Sequence, residues 1–246
     1  MVSAPGSRGH QPHPEPLGKL RVAAVIPARD EAATVAENVT ASLACRYVSS
    51  VIVVDDGSID GTGAIASEAG ATVVRRERHA GGGKAAAMAA GIEALGGSVD
   101  AVLFVDADCI GLNSLHLDAI CAPVVNHRVG MSLGTFDYGR WNWLVLRAPP
   151  TTGQRIVPLW VWDAVHPSQR SGYDIEVMLN EVVCEGRLGT SSRVMAGVTH
   201  RTKRDKMGRR RGVRATWKMF WSLNRLWFVV RFRTYPFFLA DLVIEP

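Results

Sequence analysis

The stretch Val102-Leu103-Phe104-Val105-Asp106-Ala107-Asp108-Cys109 carries an apolar, mostly strand-favouring run straight into two carboxylates spaced i, i+2. On a strand, a period of two would aim both acids to one side as the chain leaves its sheet. Two hard oxygen donors in that position suit Mg²⁺ or Mn²⁺, which keep several waters and are usually completed by substrate phosphates. The expected ligand is therefore a diphosphate. The competing reading makes the pair a cap for a helix or turn beginning near Asn113-Ser114.

More acid stands earlier in the chain. An apolar run, Leu20-Arg21-Val22-Ala23-Ala24-Val25-Ile26-Pro27, is followed by Ala28-Arg29-Asp30-Glu31, and Val51-Ile52-Val53-Val54 opens into Asp55-Asp56-Gly57-Ser58-Ile59-Asp60-Gly61-Thr62. Both runs are nearly continuous rather than alternating, the pattern of strands covered on both faces of a parallel sheet. Helical composition follows each strand, over residues 28–44 and 64–69. A short strand is expected at residues 71–74, a helix over 85–94 and the next strand at 102–105. This alternation predicts a doubly wound α/β sheet with its ligand site at the carboxyl ends of the strands. Carboxylates gathered at one edge repel one another unless a cation, hydroxyls or amide donors lie between them. A nucleotide with its metal supplies all three.

Gly81-Gly82-Gly83-Lys84 is not a Walker loop, which would need Gly at 78 and Ser or Thr at 85, where Arg78 and Ala85 stand. Nor does a dinucleotide fingerprint follow the first strand. The remaining reading is a loop that opens an Ala-rich helix and offers Lys84 near the phosphates, against a plain helix entry with a solvated lysine.

With 246 residues and 47% apolar composition, the chain can bury one substantial core. It contains no uninterrupted apolar stretch long enough for a transmembrane span and no signal-peptide pattern at its start, so a cytoplasmic protein is expected. Cys45, Cys109, Cys121 and Cys184 have no C-x-x-C spacing and read as reduced, mostly buried thiols. Residues 1–18, rich in Pro, read as a disordered leader in which His10 and His13 are solvated. Residues 19–200 read as the catalytic domain and residues 201–246 as a basic, aromatic C-terminal helical segment. From Arg187 onward there are 14 Lys and Arg against 3 Asp and Glu, leaving 14 and 20 before it, so the tail carries the positive charge. That tail is expected to pack on the domain or lie on a membrane surface.

Val25-Ile26-Pro27-Ala28-Arg29-Asp30-Glu31, Val53-Val54-Asp55-Asp56-Gly57-Ser58, Gly83-Lys84 and Asp106-Ala107-Asp108, in that order, resemble family 2 glycosyltransferases of the GT-A fold. Gly153-Gln154-Arg155, Ser171-Gly172-Tyr173-Asp174-Ile175-Glu176 and Gly197-Val198-Thr199-His200 are similar to a narrower group related to glucosyl-3-phosphoglycerate synthases. The resemblance implies a GT-A fold and transfer of a sugar from a nucleotide-sugar, with UDP as the expected nucleotide, aided by Mg²⁺ or Mn²⁺. It implies a donor site of Pro27, Arg29, Glu31, Asp55, Asp56, Gly57, Lys84, Asp106 and Arg155. Glu31 and Asp56 would hold uracil and ribose, with Asp55 supporting the turn. Asp108 would bind the metal, with Asp106 near the ribose or sugar and His200 as a further ligand.

A carboxylate across the sugar would accept the acceptor's proton. Glu176 is the first candidate and Asp174 the second, both at the expected start of a helix. The expected partners are the donor and a small-molecule or lipid-linked acceptor, without nucleic acid, and with peripheral membrane contact and homodimerisation left open. A sugar-phosphate nucleotidyltransferase would need a Gly-rich loop directly after the first strand, where Pro27-Ala28-Arg29 stands. A non-catalytic binder using the basic tail would have no use for acids at three strand ends. Trp141, Trp143, Trp160 and Trp162 could stack on sugar or fill the core.

Overall fold

The computed structural model describes residues 20–77, 83–147, 152–170, 174–200 and 234–246. Their centre is an eight-stranded sheet, and the strands that begin it are those the apolar runs predict. They are β1 (Val22–Ala28), β2 (Val48–Asp56), β3 (Thr72–Arg76) and β4 (Ala101–Phe104). Across the sheet β1 lies between β2 and β4, with β3 outside β2 and every one of these pairings parallel. Beyond β4 come β7 (Arg155–Pro158), antiparallel to both its neighbours, then β6 (Met131–Thr135), β8 (Thr190–Val194) and β10 (Leu242–Ile244). The last three pair in parallel. Two residues apiece, β5 (Cys109–Ile110) and β9 (Thr199–His200) form a separate antiparallel ladder that pairs Cys109 with His200.

The sheet divides two apolar layers because successive strand side chains alternate between its faces. Val22, Ala24 and Ile26 of β1 join α1 (Val35–Leu43) and α4 (Ser114–Val125) in one layer. Ala23 and Val25 join α3 (Lys84–Ala94), α6 (Leu159–Ala164), α7 (Asp174–Glu185) and α8 (Tyr235–Ala240) in the other. Helix α3 lies very close to the sheet, since a Cβ on Gly91 would come within 2.5 Å of Val25 Cγ1. Each core Val or Leu so buried contributes about 1.5–3 kcal/mol. Helix α2 (Thr62–Glu68) closes the β2 to β3 connection, and α5 (Asn142–Val145) follows β6.

All four cysteines are buried and unbridged, as expected. Of the four tryptophans between residues 141 and 162, Trp162 is core, its ring 5.7 Å from that of Phe104, whereas Trp141, Trp143 and Trp160 are exposed. Residues 1–18, expected to be a leader, and the basic residues 201–233 lie outside the described residues. Among the described residues no helix is long and apolar enough to cross a membrane.

Three local expectations need correction. The helix expected from residue 28 begins only at Val35, because Asp30 takes φ 55° and the amides of residues 30–32 are spent on the neighbouring loop. The acids Asp106 and Asp108 do not share a strand face: β4 ends at Phe104 and a turn carries Ala107 and Asp108. The last residues of the chain form β10, a strand the composition of the tail did not announce.

Candidate functional site

Helix α4 takes its cap from Asn113, whose Oδ1 accepts from His116 N at 3.2 Å while His116 Nδ1 accepts from Asn113 N. The capping task therefore does not fall to Asp106 or Asp108, which stand on the carboxyl side of β4 next to the ends of β1 and β2.

At the far end of β2, Asp55 Oδ1 accepts from Ser58 N at 2.9 Å, closing the turn around Gly57. Its other oxygen fills the space in which a Cβ on Gly63 would fall, 2.5 Å away. Asp56 is buried between two guanidinium groups: Arg76 Nη1 donates to Oδ1, and Arg29 Nη1 stands 3.8 Å from Oδ2. Arg76 belongs to β3, and its register partner there is Asp56 itself. Glu31 is buried, Pro27 half-buried and Arg29 exposed at the end of β1. Four contacts sew this end to the β2 loop: Asp30 N to Ser58 Oγ at 3.0 Å, Ile59 N to Asp30 Oδ1 at 3.0 Å, Glu31 N to Thr62 Oγ1 at 2.8 Å and Ala32 N to Asp60 Oδ2 at 3.0 Å. A shallow cavity of about 260 Å³ opens between this loop and Arg75 and Arg76, on the β3 side.

The second group of charges centres on Lys84. From the first position of α3 its Nζ donates to Asp106 Oδ1 and to Glu176 Oε1, both at 2.6 Å. Burial works against the ammonium, yet Asp106 and Glu176 together overcome it and hold Lys84 well above its ordinary range. Burial likewise opposes the Asp106 carboxylate, but Lys84 and then Gln154 bring it below the usual range. Gln154 is fully buried and its Nε2 donates to Asp106 Oδ2 at 3.0 Å and to Cys109 Sγ at 3.1 Å. Gly153 leaves room for the same carboxylate, since a Cβ there would sit 2.2 Å from either of its oxygens.

Arg155 is fully buried in β7. Its guanidinium donates to the carbonyls of Thr152 and Glu176 and to Asn180 Oδ1, the last two at 2.9 Å. It thus anchors the first turn of α7 that carries Glu176. Asp174 is the first residue of that helix.

His200 is exposed on β9, its ring centroid 4.7 Å from that of Phe136. Its register partner Cys109 directly follows Asp108, so the ladder brings His200 beside the acid turn. Among the described residues no three His, Cys, Asp or Glu side chains converge as a closed metal cage would. Octahedral Mg²⁺ or Mn²⁺ bound with a diphosphate needs only one or two protein ligands; a carboxylate serves either ion, and an imidazole beside it suits the softer Mn²⁺ better than Mg²⁺. Asp108 and His200 fit that requirement. Asp106 already accepts from Lys84 and Gln154, and so belongs to the group centred on Lys84.

The structure therefore gathers the predicted residues into two sets, Glu31, Asp55, Asp56, Gly57 and Arg29 on one side and Lys84, Asp106 and Glu176 on the other. Sequence reasoning met Gln154 only within the motif Gly153-Gln154-Arg155, without a role of its own, and did not single out Arg76, Thr34 or Asn38. An asparagine inside an amphipathic helix was the available signal for the last.

The family model described as Glycosyl transferase family 2 matches residues 23–169. The chain is similar to glucosyl-3-phosphoglycerate synthase from Mycobacterium tuberculosis solved with phosphoglyceric acid, at 25% identity and a TM-score of 0.61, over 74% of this chain and 72% of that one. The same figures hold for that enzyme solved with Mn²⁺, uridine-diphosphate-glucose and phosphoglyceric acid. Its structure with Mg²⁺ and uridine-diphosphate, 24% identical with a TM-score of 0.62, shares the fold. Among curated protein sequences none matches this chain.

Proposed function

The chain belongs to glycosyl transferase family 2, and from that premise we propose that it moves a sugar from a UDP-sugar to a small acceptor, with Mg²⁺ or Mn²⁺ held by Asp108 and His200. The observation that carries the reading is Lys84 fastening Asp106 to Glu176 at the same sheet edge as the buried acids of β1 and β2. Glu31 and Asp56 serve as acceptors for the N–H of the base and the hydroxyls of the ribose. Arg29 and Arg76 keep Asp56 in place for that task.

Breaking a sugar–phosphate bond develops negative charge on the departing diphosphate and positive charge on the anomeric carbon, so fixed charges that match these stabilise the transition state more than the ground state. When bound, the metal supplies Lewis-acid neutralisation of the diphosphate. Lys84 adds a positive charge between the two acids. Asp106, held by Lys84 and Gln154 over Gly153, is oriented to accept from a sugar hydroxyl. Glu176 already accepts from Lys84 through Oε1 and is almost wholly buried, so it fits the role of a fixed negative charge near the anomeric carbon better than that of a freely moving proton acceptor. Asp174, at the helix start, remains the second candidate to take the acceptor's proton.

The phosphoglyceric acid bound by the similar enzyme makes a small phosphorylated acid the first acceptor to try. Thermal unfolding with UDP and Mn²⁺ tests the donor half: stabilisation that EDTA abolishes supports it. Product formation from a panel of UDP-sugars and phosphorylated acids tests the rest. No shift with any nucleoside diphosphate would defeat the reading.

A further inference from the structure

Two polar residues of α1 break the rules for their positions. Thr34 is the N-cap of that helix, yet its side chain makes no cap hydrogen bond, and its Oγ1 donates instead to the carbonyl of Ala107 at 2.7 Å. Asn38 sits inside the helix with no exposure, where asparagine is a weak helix former. Its Nδ2 lies 2.9 Å from Ala107 O, 3.1 Å from Cys109 O and 3.0 Å from Thr34 O. Its Oδ1 is buried with no hydrogen-bond partner. An unpartnered buried oxygen costs stability, and the amide cannot turn round without placing that oxygen against three carbonyls. Local rules broken at such cost tend to mark places where function sets the residue.

What these side chains hold is the backbone on either side of Asp108: Ala107 before it and Cys109 after it. Residues 30–32 of the same segment are bonded to the β2 loop that carries Asp55, Ser58 and Asp60. One short length of chain thus fastens the nucleoside-side loop to the acid turn.

We propose that Thr34 and Asn38 are positioning residues for the metal, acting through the backbone of residues 107–109 to set the Asp108 carboxylate relative to the nucleotide. The inference rests on the proposed metal site at Asp108. Residues that orient metal ligands from behind typically change metal affinity by about 10–100-fold when removed.

The test is Mn²⁺ binding to the full chain in the presence of UDP, followed by the EPR signal of free Mn²⁺. Thr34→Val keeps the shape and deletes one donor, Asn38→Leu deletes the other, and Thr135→Val removes a bond of the same kind, from Thr135 Oγ1 to the Arg193 carbonyl at 3.2 Å, that does not involve residues 107–109. Thr34→Val is expected to raise the apparent Kd for Mn²⁺ about tenfold or more, with turnover restored at saturating Mn²⁺, while Thr135→Val leaves the Kd as in wild type. If Asn38→Leu does not fold, Thr34→Val decides alone. Wild-type Kd in Thr34→Val, or an equal change in Thr135→Val, would overturn the proposal while leaving the metal site standing. Absence of UDP-dependent Mn²⁺ binding in the wild type would remove the metal site and this inference together.

Discussion

Replacing Lys84 with methionine should cost the fold more than any exposed lysine could. The wild-type ammonium donates two bonds of 2.6 Å to carboxylates whose side chains are 24% (Asp106) and 3% (Glu176) exposed. Methionine has similar reach and no charge, so the variant leaves two buried acids facing each other with no cation between them. Breaking a buried pair in this way costs about 3–5 kcal/mol. For a chain of this size each kcal/mol shifts the midpoint by about 2–4 °C, giving a drop of roughly 6–20 °C at neutral pH. The pH dependence carries a sign. In the wild type the folded Asp106 carboxyl lies below its ordinary 3.8, so its contribution is present above that pH and lost only as pH falls through the folded value. Lys84 is raised above 10.5, so its share is complete below that pH and constant across the working range. In Lys84→Met, burial without the ammonium pushes the Asp106 carboxyl upward instead, so the folded variant binds a proton that the unfolded chain releases and loses stability as pH rises from about 4. The gap between the two proteins should therefore be small near pH 4, widen towards pH 7 and stay level to pH 9. Adding Glu176→Gln to Lys84→Met removes one uncompensated charge and should recover part of the loss, a coupling of about 0.5–3 kcal/mol. Thermal unfolding in EDTA, by circular dichroism at unit steps of pH, reads all of this. Equal midpoints for wild type and Lys84→Met at pH 7, or a gap that does not vary with pH, would refute the reasoning.

Gly153→Ala should destabilise by about 1–3 kcal/mol and depress transfer, because its Cβ would meet the Asp106 carboxylate at 2.2 Å; a wild-type midpoint with wild-type turnover would rule that out. Arg155→Lys should not rescue what Arg155→Met loses, about 3–5 kcal/mol, since one ammonium cannot reach the Thr152 and Glu176 carbonyls and Asn180 together; urea midpoints of the two variants make the comparison, and a wild-type midpoint for the lysine form would count against it. Asp108→Ala should abolish metal-dependent transfer while leaving the unfolding midpoint within a few degrees, and His200→Ala should weaken the Mn²⁺ dependence less completely because water can replace one ligand; Mn²⁺ titrations of initial rate separate them, and wild-type turnover in Asp108→Ala would exclude the assigned role.

The central strands were legible because parallel strands covered on both faces must be apolar throughout, and Val22 to Ile26 and Val51 to Val54 are. Burial is a property a sequence carries locally. The antiparallel β7 was not legible: Ile156 and Val157 are too short a run to reveal that they insert between β4 and β6, strands far away in the chain. The late start of α1 was hidden for the same reason, since the groups that take the amides of residues 30–32 lie beyond residue 57. At the site, residue types pointed to one edge of the sheet, and the structure brings the acids that follow β1, β2 and β4 to that edge. Partners were another matter. Lys84 read as a cation offered to phosphates, and only the arrival of α7 beside α3 sets Glu176 against it; Arg155 read as a donor-site residue, and only the burial of β7 turns its guanidinium towards carbonyls. Motif spacing records which strand end a side chain leaves from, whereas the charge it finally meets is chosen by packing between distant elements. That is why the unsatisfied Asn38 oxygen, a local cost with no local benefit, locates the support behind the acid turn, where no motif pointed.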